Sequence, residues 1–205
     1  MKTRLLHILS SGLFTSMLLL LFLGSSYTVF SQSPVTITDP AQTTWTVPAG
    51  VTSVTVECWG AGGSGGSSQK NAAAGGGGGG AYSRSLNIVV VPNTTVDIQI
   101  GAGAPQTPKN ASGSAGGNTW FINSGTVYAE GGGGGLSSAL GATGGVGGNA
   151  ANGIGNDTTL SGVNGTDGTG VQGGEGGAGA NGGAGGPGGN GVNGNPGSPP
   201  GGGGG

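Results

Sequence analysis

Charge and aromatic side chains are scarce in this 205-residue chain: 6% of residues are charged, 5% are aromatic, and the formal net charge is −2. So few cations cannot assemble the basic surface that grips a nucleic-acid backbone or an anionic lipid, and neither partner is expected. His7 is the only histidine and Cys58 the only cysteine. A Ser-His-Asp triad, a Cys-His pair and a His/Cys zinc site are therefore excluded, as is a disulfide within the chain. Cys58 lies in the alternating run Val54-Thr55-Val56-Glu57-Cys58-Trp59, where period two sets it beside Val54 and Val56. It reads as a small buried hydrophobe.

Glycine is abundant instead, at 55 residues against roughly 7% in average usage. Matches to Gly-x-Gly-x-x-Gly follow from that composition alone. None leads into Gly-Lys-Ser or Gly-Lys-Thr, and no helix-forming stretch is available to receive a phosphate, so no cofactor is expected. Glu57 and Asp97 could be drawn as a glycosidase pair, but both fall opposite the apolar residues of their strands and read as solvated carboxylates. Gly165-Thr166-Asp167 matches part of a calcium-binding nonapeptide repeat. Thr169 stands where that repeat needs an apolar residue, and one carboxylate cannot hold an ion that takes roughly six to eight oxygens. No catalytic residue, metal ligand or enzymatic activity is expected.

Lys2 and Arg4 precede the apolar stretch Met17 to Leu23, which is followed by Gly24-Ser25-Ser26 and Val29-Phe30-Ser31. This is the plan of a secretory signal peptide, with cleavage expected after Ser31. Ser10, Ser11, Gly12, Thr15 and Ser16 interrupt the run, which argues against an uncleaved anchor, since a span needs about 20 mostly apolar residues. Cleavage removes His7 and leaves Lys70, Arg84 and Lys109 as the only cations against seven acids. The expected location is outside the cell or on its surface, with no membrane contact once the leader is gone.

Residues 32–130 carry the β signals. Val35 to Thr38, Thr43 to Val47, Ser53 to Trp59, Ala81 to Val91, Thr94 to Ile100, Asn118 to Ile122 and Thr126 to Glu130 are rich in β-branched and aromatic residues and bounded by Gly, Pro and Asn. Alternation places Val54, Val56 and Cys58 on one face, Leu86, Ile88 and Val90 on another, and Val96, Ile98 and Ile100 on a third. Pro92-Asn93 predicts a turn that pairs the fourth and fifth runs as an antiparallel hairpin. The fold expected is mainly β, a small antiparallel sandwich-like unit with a long glycine-rich loop from Gly60 to Gly80.

Residues 131–205 hold few large aliphatic side chains and no aromatic one. Burying Leu136, Leu140, Val146, Ile154, Leu160, Val163, Val171 and Val192 could not offset the cost of ordering so much glycine, about 0.5–1 kcal/mol each beyond alanine. Such a segment is either disordered low-complexity chain or ordered through its backbone. Glycine recurs at every third position from Gly170 to Gly197, the turn of polyproline II. Collagen shares that period, but the extra glycines inside the triplets and the sparse proline argue against it. The expectation is several polyproline II segments bundled side by side and against the β unit. Reversals are expected at Gly168 to Gly170 and at the Asn-Gly pairs that begin at Asn164, Asn190 and Asn193.

The block from Trp45 through Pro48-Ala49-Gly50 and Val54-Thr55-Val56-Glu57-Cys58-Trp59 to Gly60-Ala61-Gly62-Gly63, with Gly75 to Gly80 leading into Ala81-Tyr82-Ser83, resembles the glycine-rich domain of secreted Bacteroidetes surface proteins. Ile98 to Gly103, Gly116 to Phe121 and Tyr128 to Gly135 follow in the order that domain uses. The chain is similar also to glycine-rich modules at the tips of phage tail fibres, where packed polyproline II helices present variable loops to a receptor. The resemblance implies export and display, often with a carboxy-terminal sorting domain. None is recognised before Gly205, so the expectation is a truncated chain or another mode of attachment.

A structural or adhesive surface module with an extracellular glycan or protein partner is the function these observations favour. The alternative is a carbohydrate-binding module or the accessory domain of a larger secreted protein. Trp59, Tyr82 and Tyr128 are its candidate stacking aromatics, with Trp45 and Trp120 also considered and Trp45 expected in the core. Asn93, Asn110, Asn156 and Asn164 begin N-glycosylation patterns, and Asp157-Thr158-Thr159 resembles the O-glycosylation motif of Bacteroidetes.

Overall fold

Seven stretches with β-branched or aromatic residues form strands: β1 (Thr44–Thr46), β2 (Ser53–Trp59), β3 (Tyr82–Val89), β4 (Thr95–Gln99), β5 (Thr119–Phe121), β6 (Val127–Ala129) and β7 (Thr158–Leu160). They come from a computed structural model that describes residues 33–69, 71–189 and 194–205. The expected leader at 1–31, and Asn190, Gly191 and Asn193 of the two Asn-Gly pairs, lie outside the described residues. Residues 37–205 make one compact unit, and among the described residues helix is confined to single 3-10 turns at Ser138–Leu140 and Ala150–Asn152.

The strands build two antiparallel sheets, one in the order β1-β4-β5-β6 and the other β2-β3-β7. The fold is mainly β, as expected. Val47, Val51, Cys58, Val90, Ile98, Phe121, Val127 and Ala129 form the buried cluster between the sheets, with Trp45, Val54, Val56, Ile88 and Val96 packed against it. Trp45 lies over Phe121 with ring centroids 6.0 Å apart. This is the ordinary economy of a β-sandwich, in which alternate side chains leave water for a shared core.

Several details differ from the sequence expectation. Residues 35–38 form no strand, although Ile37 reaches the core without a ladder partner. The turn at Pro92-Asn93 is present, with Asn93 at φ 60°, but it does not close a hairpin. Val90 N–H donates to Thr52, Asn93 N–H donates to Val47, and Val47 N–H donates to Thr94. These bonds pull β3 toward β2 and β4 toward β1, so the turn carries the chain from one sheet to the other.

Leu86 does not share a core face with Ile88 and Val90. The β2–β3 register slips between Val54↔Ile88 and Val56↔Ser85, and Asn87 takes φ 55°. The extra residue is a bulge that reverses the alternation of β3. Ser83 and Ser85 therefore turn inward with Ile88 and Val90, and both serines are buried. β7 escaped the sequence reading because its three residues are too short for a periodic signal and stand among glycines.

The glycine-rich stretch from Gly60 to Gly80 is not a loop. Residues 73–80 are all buried, and each glycine there bonds to a different neighbour in a cycle of three. The N–H groups of Gly75, Gly78 and Ala81 donate to Leu136, Gly133 and Glu130; those of Gly76 and Gly79 to Thr166 and Val163; those of Gly77 and Gly80 to Gly204 and Gly201. Their carbonyls accept with the same rhythm, from the 60–66, 142–148 and 174–180 segments. A backbone whose donors rotate once in three residues is turning as polyproline II does.

The six neighbours also bond to one another. Gly132 N–H donates to Ala61, Gly133 to Val146, Gly165 to Gly145, Thr166 to Glu175, Gly203 to Gly177 and Gly204 to Gly63. Segments 60–66, 130–136, 142–148, 162–168, 174–180 and 201–205 thus form a closed ring around 74–81. Strands run straight into these segments, β2 into 60–66, β6 into 130–136, β7 into 162–168, and the central segment into β3. Both kinds of backbone occur on each side of residue 130.

Candidate functional site

Glycine is required in the ring by distance. A Cβ built on any residue from Gly75 to Gly80 would lie under 3.0 Å from a neighbouring backbone carbonyl, such as Val146 for Gly78 and Ala178 for Gly79. A bundle this close leaves no room inside for side chains, so they project outward. Leu140, Val146, Ile154, Leu160, Val163 and Val171 are all exposed, Val146 to 67% and Val163 to 56%. The interior is backbone and the apolar side chains form the surface.

Reversals occur where the chain takes positive φ. Thr169 and Gln172 exchange backbone hydrogen bonds across Gly170, which has φ 60°, in agreement with the reversal expected there. A second follows at Asn181, with φ 48°. Its Asn-Gly pair is the signal that would have found it. Asn164 is not a reversal. It lies within the 162–168 segment, and its side-chain carbonyl accepts from Gly147 N–H at 2.8 Å.

The stacking candidates have unequal surroundings. Tyr82 is 2% exposed and packs on Trp59 at a centroid distance of 5.1 Å, so it presents no face to a ligand. Burial, and secondarily Glu57, holds its phenol above the ordinary value, while Arg84 opposes the shift. Trp59 is half-buried, and its indole N–H donates to the Asn181 carbonyl at 3.0 Å. That bond ties β2 to a turn of the bundle.

Tyr128 is half-buried on β6, opposite Trp120 of β5, which in turn lies opposite Gln99 of β4. Register places these three side chains in one row on the sheet face away from Phe121 and Val127. Ile154 bridges to Tyr128 on the next line. Gln99 is held by donating its amide N–H to Asn118 O at 2.9 Å. Burial, then Glu130, raises the Tyr128 phenol, which stays a neutral donor and acceptor at neutral pH. The row is an apolar strip with polar ends, offering flat aromatic faces and hydrogen-bonding groups side by side. The sequence points to Tyr128 and Trp120 singly, and only the register joins them.

Other motifs have structural employment. Arg84 meets Asp157 at 2.6 Å and Glu57 at 4.0 Å. The hydroxyl of Thr158, then the Arg84 guanidinium, holds the Asp157 carboxyl below its usual range. Thr158 Oγ1 donates to that carboxylate at 2.8 Å, so the threonine of the O-glycosylation-like motif is engaged. Asp167 Oδ1 accepts from Gly144 N–H at 2.8 Å and Thr166 Oγ1 from Glu175 N–H at 2.7 Å. Glu57 and Asp97 stand on different sheets. Burial pushes the Cys58 thiol up to about 12.

Among the described residues no three His, Cys, Asp or Glu side chains gather as a metal-holding group, and no helix is long and apolar enough to cross a membrane. No curated protein matches the chain. A family described as glycine-rich domain matches residues 37–205, a span that begins where the compact unit begins and takes in both sheets and the whole ring. The chain belongs to that glycine-rich domain family.

Proposed function

We propose that the chain is a secreted, non-enzymatic structural or adhesive surface module of the kind displayed by Bacteroidetes, similar in plan to the glycine-rich tips of phage tail fibres. The observation that carries this reading is the ring of six segments around residues 74–81. A bundle ordered by its backbone needs no apolar core, so its outward positions are free to vary with a partner while the scaffold stays fixed. Loops at rigid ends of such a scaffold are the usual place for recognition. The leader at 1–31 supports export, and the scarcity of charge supports a partner recognised by shape and hydrogen bonding.

Expression of the full chain with its own leader in a Gram-negative host tests the first half. The product should appear outside the cytoplasm with Gln32 as its first residue; retention inside with Met1 intact would overturn the reading. Adhesion is tested by coating beads with the mature protein and measuring retention on bacterial or host cell surfaces against uncoated beads. Equal retention of the two leaves only a structural role.

A second reading, carbohydrate binding, rests on the row of Gln99, Trp120 and Tyr128. An array of glycans should then show millimolar or tighter binding that Trp120→Ala removes, since a stacked aromatic contributes roughly 1–3 kcal/mol. An unchanged pattern in that variant ends the second reading.

A further inference from the structure

Three of the six junctions between adjacent ring segments form notches on the outside of the bundle, and these notches are filled in two ways. The notch between 60–66 and 130–136 holds a further glycine-rich segment, 113–117: Ala61 and Ser64 donate to Gly117 and Ser114, while Gly116 and Gly113 donate to Gly132 and Gly135. The notch between 174–180 and 201–205 holds residues 183–189, which accept from Gly176 and Gly179 and donate to Gly203 and Pro200. The notch between 142–148 and 162–168 holds side chains. Gly144 N–H donates to Asp167 Oδ1 at 2.8 Å, Gly147 N–H to Asn164 Oδ1 at 2.8 Å and Ala150 N–H to Ser161 Oγ at 2.9 Å.

The three acceptors recur every third residue and run antiparallel to the three donors. That is the spacing at which a polyproline II segment offers successive carbonyls to one neighbour. We propose that Ser161, Asn164 and Asp167 stand in for such a segment and close this notch against a glycine-rich segment of a second copy of the chain. The occupant follows from the other two notches, where this chain's own glycine-rich backbone supplies the carbonyls. The exposed Val146 and Val163, one on each bordering segment, would add apolar contact to a docked backbone, so an uncapped notch is an adhesive one. The caps keep it shut.

The test compares Asn164→Ala/Asp167→Ala, which removes two caps and opens space, with Asn164→Leu/Asp167→Leu, which removes the acceptors and fills the space. Amide exchange in the mature protein should accelerate about tenfold at Gly144 and Gly147 in the monomers of both variants, while Gly145, which donates to Gly76, is unaffected. Sedimentation should show dimers or larger species that grow with concentration for the alanine pair alone. Three outcomes overturn the proposal: an alanine pair that stays monomeric, equal association of both pairs, or an alanine pair that fails to fold while Asp167→Asn folds. The last would mean that the caps hold the ring together.

Discussion

The two halves of this fold solve the same problem in opposite ways. In the sandwich, Val47, Ile98, Phe121 and Val127 leave water, and the backbone pairs strand to strand within each sheet. In the ring, the backbone of residues 74–81 occupies the centre, and Val146 and Val163 stand in solvent. One interior is held by apolar area and the other by hydrogen bonds whose donors and acceptors are all close enough to meet because no Cβ intervenes. The comparison teaches that hydrophobic patterning reports on only one of these interiors. A residue's burial in the ring is set by its place in a three-residue cycle of donors, whatever its side chain.

The sharpest way to break the comparison is to add one carbon to the interior of the ring and read the effect in the sandwich. Gly79→Ala puts a methyl group against the Ala178 carbonyl, and backbone cannot swing aside as a side chain would. A loss of at least about 3 kcal/mol is expected in chemical denaturation. Gly103→Ala is the control, because nothing lies within 4 Å of its Cβ; it should be neutral or stabilising by roughly 0.4–1 kcal/mol. Cys58 reports on the other half. Its buried thiol, pushed up to about 12, should be inert to a thiol reagent at pH 8 in the parent protein. It should become reactive in Gly79→Ala, since strands and ring segments are continuous chain. An inert thiol in that variant would show that the sandwich stands without the ring.

The parts legible in the sequence divide along the same line. Six of the seven strands were visible, because Val, Ile, Thr and aromatic residues bounded by Gly and Pro are a local signal. The pairing of those strands was not. Pro92-Asn93 reads as a hairpin turn, and only the bonds of Asn93 and Thr94 with Val47, which extend the β1–β4 ladder, show otherwise. Glycine's period of three predicted a bundle after residue 131, yet the centre of that bundle, Gly75 to Gly80, is an unbroken glycine run with no period to detect. Its segments pair across more than a hundred residues, as Gly77 does with Gly204, and a composition cannot state a partner. In the sequence Asn164 and Asp167 read only as motif fragments, because capping an outward N–H requires knowing which way that N–H points.

Charge sharpens the comparison at intermediate magnitude. Ile98→Asp sets a carboxylate into the buried cluster and should cost about 3–5 kcal/mol or abolish cooperative unfolding. Val163→Asp places the same group on the ring, where the valine is already 56% exposed, and should change stability by no more than about 0.5 kcal/mol. The two substitutions have the same chemistry and would be ranked alike by hydropathy. Similar losses in both would mean that the valine face of the ring is covered in the folded protein.

The smallest effect is expected at Asp157, where the glycine-rich part of the sequence returns to the sheet through β7. Thr158's hydroxyl and Arg84 favour the ionised carboxyl in the folded chain, so it binds a proton less readily than in the unfolded chain. Its contribution to stability is therefore present above the ordinary carboxylate value of 3.8 and fades as the pH falls through its lower folded value. Asp157→Asn should remove that part of the acid dependence and leave neutral stability slightly reduced, since exposed ion pairs contribute little. Unfolding midpoints of the parent and the variant, measured between pH 7 and roughly 2, should converge toward the acid end. Amide exchange locates the effect. The N–H of Asp157, which donates to Arg84 O, and the amides of β7 should open sooner in the variant, while Gly78, at the centre of the ring, should keep its rate. Faster exchange at Gly78 as well would make β7 a support of the ring.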